Sequence, residues 1–188
     1  GKNKKEYFDY TASGLAFRQI ENRIHDVLET YANTHSKEAS NADKTTNYYE
    51  KARQNLSSNL GLNDDFVILP SGCGTTAAIK HFQELMGLYI PPSTKKRYGF
   101  QIDKQKAPLV IVGTYEHHSN EVSFREALCE IQRINLNKEG LIDLNHLKDI
   151  LEKNKHREII ASFCIASNVT GIITPFEEIS KILRTYNA

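Results

Sequence analysis

Phe66-Val67-Ile68-Leu69-Pro70-Ser71-Gly72-Cys73-Gly74-Thr75-Thr76-Ala77-Ala78-Ile79-Lys80 is the stretch around which the chain is organised. A short apolar run stops at Pro70, a small flexible turn follows, and a helical pattern begins with Ala78, Phe82, Leu85, Met86 and Tyr89 on one stripe. The stretch reads as strand, glycine turn, helix. Glycines let the backbone fold tightly and approach a ligand closely. A helix N-terminus offers unpaired N–H groups and partial positive charge, which suits a phosphate, and Thr75 and Thr76 add hydroxyls at that end. An ordinary tight strand-to-helix turn reads the same way. Neither the Walker pattern nor the third glycine of the dinucleotide fingerprint is present.

Upstream, Tyr7 to Gly14 is a short extended piece ending in a turn, and Phe17, Ile20, Ile24, Val27 and Leu28 fall on one helical face. Tyr31 to Ser36 has no periodicity and reads as a polar loop carrying Asn33 and His35. A second helix is expected from Thr45 to Leu60, with Tyr49, Ala52, Leu56 and Leu60 as its apolar stripe and Gly61 ending it. Downstream, the segment from Pro91 to Lys106 is basic and broken by proline and glycine, and reads as an excursion between core elements.

Leu109 to Val112 suits a strand buried on both faces of a parallel sheet, with Glu116-His117-His118-Ser119-Asn120 at its end and a helical stretch to Leu128. Glu130 to Ile134 alternates as a further strand, Asn137 to Gly140 is a turn, and Asp143 caps a helix carrying Leu144, Leu147, Ile150 and Leu151. Glu158 to Ala166 is the next buried strand, ending at Ser167-Asn168-Val169-Thr170-Gly171. Thr174-Pro175-Phe176-Glu177 has the form of a capping box opening a helix with Ile179, Ile182, Leu183 and Tyr186 on one face.

Strands alternating with helices argue for an α/β, mostly parallel sheet flanked by helices, in which ligands collect at the carboxyl ends of strands. Three polar clusters, Ser71 to Thr76, Glu116 to Asn120 and Ser167 to Gly171, follow three such strands and are expected along one edge of one sheet. The first is a phosphate seat. His117 offers an imidazole that can stack on a ring or move a proton, or is simply part of a solvated loop. Asn168 offers an amide donor to a ring oxygen, or is a turn residue beside Gly171. A ligand with a phosphate, an aromatic ring and a ring oxygen meets all three, and pyridoxal phosphate is such a ligand.

Bulk properties bound the rest. The 188 residues carry a net charge of +1 and are 39% hydrophobic, enough for one domain or a little more and no argument for nucleic acid. No apolar run is long enough to span a membrane. Cys73, Cys129 and Cys164 are scattered and odd in number, which fits a reducing, cytoplasmic setting better than a disulfide framework. No Cys and His spacing resembles a metal site.

The same motifs carry a resemblance. Tyr7-Phe8-Asp9-Tyr10-Thr11-Ala12-Ser13, the turn Ser71 to Ile79, Glu116-His117-His118-Ser119-Asn120, and Ser167-Asn168-Val169-Thr170-Gly171 with Pro175 beyond resemble, in order and spacing, the class V aminotransferase and cysteine desulfurase family of fold-type I pyridoxal-phosphate enzymes. The resemblance implies a phosphate held by Gly74, Thr75 and Thr76, a pyridine ring stacked on His117, and a phenolic oxygen met by Asn168. It implies an amino-acid substrate, approached by Asn33 and His35, and a homodimer. Cys73 is read as a packing residue. The family's pyridine-nitrogen aspartate and Schiff-base lysine segment are not found in these residues. The chain is therefore expected to be the N-terminal portion of a longer enzyme, with residues 1–60 a helical segment and 61–188 the first part of the large domain. A catalytically inactive relative that keeps the fold for assembly is the alternative.

Overall fold

A computed structural model describes residues 6–36, 38–99, 103 and 106–188. The chain separates into two compact units, Gly1–Pro70 and Ser71–Ala188.

In the first unit, helix α1 spans Arg18–Leu28 and α2 spans Ser40–Asn59. The apolar stripe of α1 forms as its spacing requires, yet Phe17, Ile20, Ile24 and Leu28 are exposed. Helix α2 starts five residues before the expected Thr45. Its side chains explain why: Thr45 and Thr46 donate their hydroxyls to the carbonyls of Asn41 and Ala42, one turn back. The same two oxygens accept the backbone N–H groups of Ala32 and His35, so they fasten the polar loop to the helix. Ala42 and Thr45 are the buried residues of α2, whereas Leu56 and Leu60 of the expected stripe are exposed. Phe66 to Leu69 is not a strand: it joins no β-ladder among the described residues, and Phe66, Val67 and Leu69 are exposed. An apolar run becomes a strand only when another strand lies beside it, and among the described residues none does.

The second unit opens with α3, Gly74–Leu85, followed by α4, Pro92–Tyr98. Helix α4 takes up Pro92–Tyr98 of the expected irregular excursion, of which residues 100–102 and 104–105 lie outside the described residues. Pro92 sits where its missing N–H costs nothing, and Gly99, at φ 66°, closes the helix in the left-handed conformation. Strands β1 (Leu109–Val112), β2 (Glu130–Arg133) and β3 (Ile159–Ser162) form a parallel sheet in the order β2-β1-β3, joined through α5 (His118–Arg125) and α6 (Leu144–Asn154). Helix α7 spans Phe176–Thr185.

Alternation along β1 divides the core. Leu109 and Ile111 pack with Leu147, Ile150 and Leu151 of α6 and Ile179 of α7. Val110 and Val112 turn to the other face and pack with Phe124 of α5, Leu88 and Ile79. All four residues of β1 are fully buried, as expected for the central strand of a sheet covered on both faces.

Three further expectations change. The face of α3 that meets the core carries Ile79 and the fully buried Gln83, while Phe82, Leu85 and Met86 are exposed. The Gln83 Oε1 accepts from Ser123 Oγ of α5 at 3.1 Å and from Lys80 Nζ at 3.3 Å, while its buried Nε2 finds no hydrogen-bond partner among the described residues. Strand β3 ends at Ser162, and Ala166 instead pairs antiparallel with Ile173. Thr174 does not cap α7: its hydroxyl donates to the carbonyl of Cys164, and Pro175 occupies the cap position. Asp143, by contrast, caps α6 as expected, accepting from the N–H groups of Asn145 and His146. Among the described residues no helix is long and apolar enough to cross a membrane.

Candidate functional site

The turn before α3 is shaped by glycine. Gly72 has φ 53°, and a Cβ there would lie 2.7 Å from that of Ala77; Gly74 has φ 78°. Both values are left-handed, where a side chain is strained. Cys73, at the cap position, provides no side-chain hydrogen bond to the helix, so the first-turn N–H groups are not closed off by it. Cys73 is exposed, which corrects its reading as a packing residue. His81, two turns into α3, holds the turn through a 2.5 Å hydrogen bond between its Nδ1 and Ser71 Oγ.

At the carboxyl end of β1, His117 occupies the cap position of α5. Its Nδ1 accepts from the backbone N–H of Ser119 at 3.2 Å and lies 2.7 Å from Ser119 Oγ. An acceptor Nδ1 carries no proton, so the neutral ring holds its proton on Nε2. Glu116, immediately before it, points its carboxylate across to β3. Oε1 accepts from the backbone N–H of Cys164 at 2.9 Å, and Oε2 accepts from Asn120 Nδ2 at 2.9 Å. Asn120 Oδ1 in turn accepts from Ser162 Oγ at 2.8 Å. Gly113 makes room for this: a Cβ there would strike Glu116 Oε1, with the Phe163 ring beside it.

These elements enclose a cavity of about 420 Å³ lined by Thr75, Thr76, His117, Asn120, Ser162 and Cys164 among others. A neighbouring cavity of about 390 Å³ is lined by His117, His118 and the turn Ser167 to Thr170, including Asn168. Glu116 and His117 belong to both walls. The structure thus brings Thr75 and Thr76 to His117 directly, and Asn168 to the other side of the same residue. Gly74 lies one residue before this wall, at the start of α3. Asn168 sits in a tight turn in which the N–H of Gly171 donates to the carbonyl of Ser167, as its reading as a turn residue expects. Asn33 and His35 are exposed residues of the first unit, with His35 edge-on to Tyr49 at 6.2 Å.

Ser162, Asn120 and Cys164 were not singled out as separate site residues by sequence, although they line the cavity with His117. Their signal was weak: each lies at or near a strand end, but their shared partner is visible only in three dimensions. The Cys164 thiol is pushed above its ordinary value by burial and by the nearby Glu116 charge. It is therefore a protonated wall residue, not a thiolate. Burial pushes the Cys129 thiol up to about 11. Among the described residues no group of three or more His, Cys, Asp or Glu could hold a metal ion.

Comparison with known proteins bears on the fold and the family. The cysteine desulfurase IscS of Dictyoglomus turgidum is 26% identical over 187 residues, covering 98% of this chain and 43% of that relative. A probable cysteine desulfurase of Chlamydia muridarum is 31% identical over 83 residues, 42% of this chain and 20% of that relative. An apo cysteine desulfurase structure from Thermococcus onnurineus superposes with a TM-score of 0.71 at 20% identity, over 97% of this chain and 42% of that one. A NifS-like protein from Rickettsia africae gives 0.66 at 19% identity, over 95% and 44%. The chain spans less than half the length of these relatives. The fold is thus shared with under half of each of these two structures. With the model for aminotransferase class-V matching residues 6–188, the chain belongs to the aminotransferase class-V family.

Proposed function

We propose that the protein is a pyridoxal-phosphate-dependent enzyme acting on an amino acid, with cysteine desulfuration as the favoured reaction, and that these residues form the first half of its cofactor site. The observation that carries this reading is the single cavity in which Thr75 and Thr76, at the start of α3, meet the ring of His117. The donor set fits the group. A helix N-terminus without a capping side chain, two hydroxyls and a turn built on left-handed glycines suit a phosphate dianion. When bound, the cofactor supplies an electron sink for bonds at the substrate's α-carbon.

The chain's own residues have distinct tasks in this reading. Gly74, Thr75 and Thr76 bind the phosphate and so set the depth of the ring. His117 stacks on the ring face and exchanges protons through Nε2, because Nδ1 is engaged with Ser119. Asn168, on the far wall, donates to the ring oxygen. The protein acts as a homodimer, and Asn33 and His35 approach the substrate.

Titration of the 188-residue chain with pyridoxal phosphate, followed by borohydride reduction and peptide mapping, tests the proposal. Binding should be weak, competed by inorganic phosphate, and reduced about tenfold in the Thr75→Val, Thr76→Val double variant. Reduction should label several lysines at low level. Affinity indifferent to phosphate and to both threonines would overturn the phosphate seat. One stoichiometric label within these residues would overturn the assignment of the covalent anchor to a segment outside them.

A further inference from the structure

The Glu116 carboxylate is engaged through both oxygens at the cavity, yet neither phosphate binding nor ring stacking uses it. Its two oxygens reach different elements. One takes the backbone N–H of Cys164, just past β3, and the other takes the amide of Asn120 in α5. Asn120 is itself tied to Ser162 Oγ, the last residue of β3. The residue next to Glu116 in sequence is His117, whose ring forms the wall shared by both cavities.

We propose that Glu116 is a positioning residue: by bridging the ends of β1 and β3 it fixes His117 at the height where its ring can meet a cofactor seated on α3. The inference rests on the cofactor reading above for its purpose, though not for its geometry. A carboxylate suits the task because it is acceptor-only and long enough to serve two donors on separate elements at once. Each donor is a neutral N–H, so what the bridge needs is reach and acceptor geometry more than charge. The turn would otherwise be held to β3 mainly through Asn120, which also depends on Glu116 for its orientation.

This separates two conservative variants. Glu116→Gln keeps the reach: its Oε1 still accepts from Cys164, and Asn120 can rotate its amide to accept from the new NH₂ while donating to Ser162 Oγ, giving up only its long 3.4 Å hydrogen bond to the Ser162 carbonyl. Glu116→Asp keeps the charge but is one methylene shorter and cannot span both donors. A positioning role therefore ranks Gln above Asp, and an electrostatic role ranks Asp above Gln.

The test uses the 188-residue chain and both variants. Hydrogen exchange of the Cys164 amide and the ¹⁵N signals of the His117 ring report the bridge directly. Affinity for 4-deoxypyridoxine 5′-phosphate, which has ring and phosphate but no aldehyde, is compared with that for inorganic phosphate. In Glu116→Asp the Cys164 amide should exchange about tenfold faster, as expected for one lost hydrogen bond. The His117 signals should shift, and affinity for the ring probe should fall about tenfold while phosphate affinity stays level. Glu116→Gln should remain within about threefold of the parent on every readout, a margin set by the small net worth of one hydrogen bond. The reverse order, or a His117 signature unchanged in Glu116→Asp, would overturn the proposal. If neither probe binds the parent chain, the cofactor reading fails, and the exchange and ring signals still decide the role of Glu116.

Discussion

Glu116, just before the cap of α5, and Glu121, in its first turn, lie five residues apart and are used in opposite ways. Glu116 faces the cavity and accepts only neutral N–H groups, from Cys164 and Asn120. Glu121 faces the flank of the sheet and accepts from two guanidinium groups, Arg125 on its own helix and Arg133 at the end of β2. Burial pushes the Glu121 carboxyl up, but the hydrogen bonds and charges of the two arginines together outweigh it and hold the group below its ordinary value. The pair teaches how one short helix serves two purposes. A carboxylate paired with amides keeps its negative charge beside the ligand cavity, where it also raises the Cys164 thiol. One that only has to hold a strand to a helix is paired with cations.

The largest effect expected from breaking this contrast is at Glu116. Glu116→Ala leaves the part-buried Cys164 N–H without its acceptor and Asn120 Nδ2 with only the Ser162 carbonyl at 3.4 Å, and should cost about 2–3 kcal/mol of unfolding free energy in urea titrations. A loss below about 1 kcal/mol would mean that water replaces the carboxylate easily, and the bridge would be decorative.

Glu121→Gln should cost less, about 1–2 kcal/mol at pH 7, because both arginine partners are about half exposed and stay hydrated when the charge is lost. The cost should depend on pH in a definite direction. The folded-state pKa of Glu121 is depressed, so its contribution is complete above the unfolded value of about 4.3 and fades as pH falls through the lower folded value. Urea midpoints of parent and variant should therefore converge in acid. A gap that widens below pH 4 would assign the ion pairs no stabilising role.

The smallest effect concerns the thiols. Exposed Cys73 should be alkylated first near pH 8, and Cys129, with its thiol near 11, should resist in the folded chain. Cys164 should react slowly and become a few-fold faster in Glu116→Gln, since the Glu116 charge helps keep its thiol protonated. Equal rates at Cys73 and Cys164 would contradict the environment described for the cavity wall.

These carboxylates also mark the boundary of what sequence alone could reveal. The continuous run Leu109 to Val112 and the Asp143 cap were legible because burial on both faces and capping are local signals, written in adjacent residues. Phe66 to Leu69 carries nearly the same apolar signal and forms no strand, because strand formation depends on a partner that periodicity does not encode. Pro91 to Gly99 misled in the other direction. Its proline marks the start of helix α4, and its glycine marks the end. At the site, Thr75, Thr76 and His117 could be picked out because their residue types suit a ligand. Glu116 was seen only as part of a motif, since its principal partner, Cys164, lies 48 residues away.

Gly113 carries a consequence for anyone who varies this protein. Its backbone is outside the left-handed range, so a scan based on backbone strain would accept alanine there. The obstacle is that the space an alanine methyl would take already belongs to the Glu116 carboxylate. In a saturation library, position 113 should therefore behave as a second copy of position 116. Substitutions at either should give the same phenotype, and the two together should be little worse than one. A hydrogen atom at the end of the central strand thus sets the mutational tolerance of a side chain three residues later.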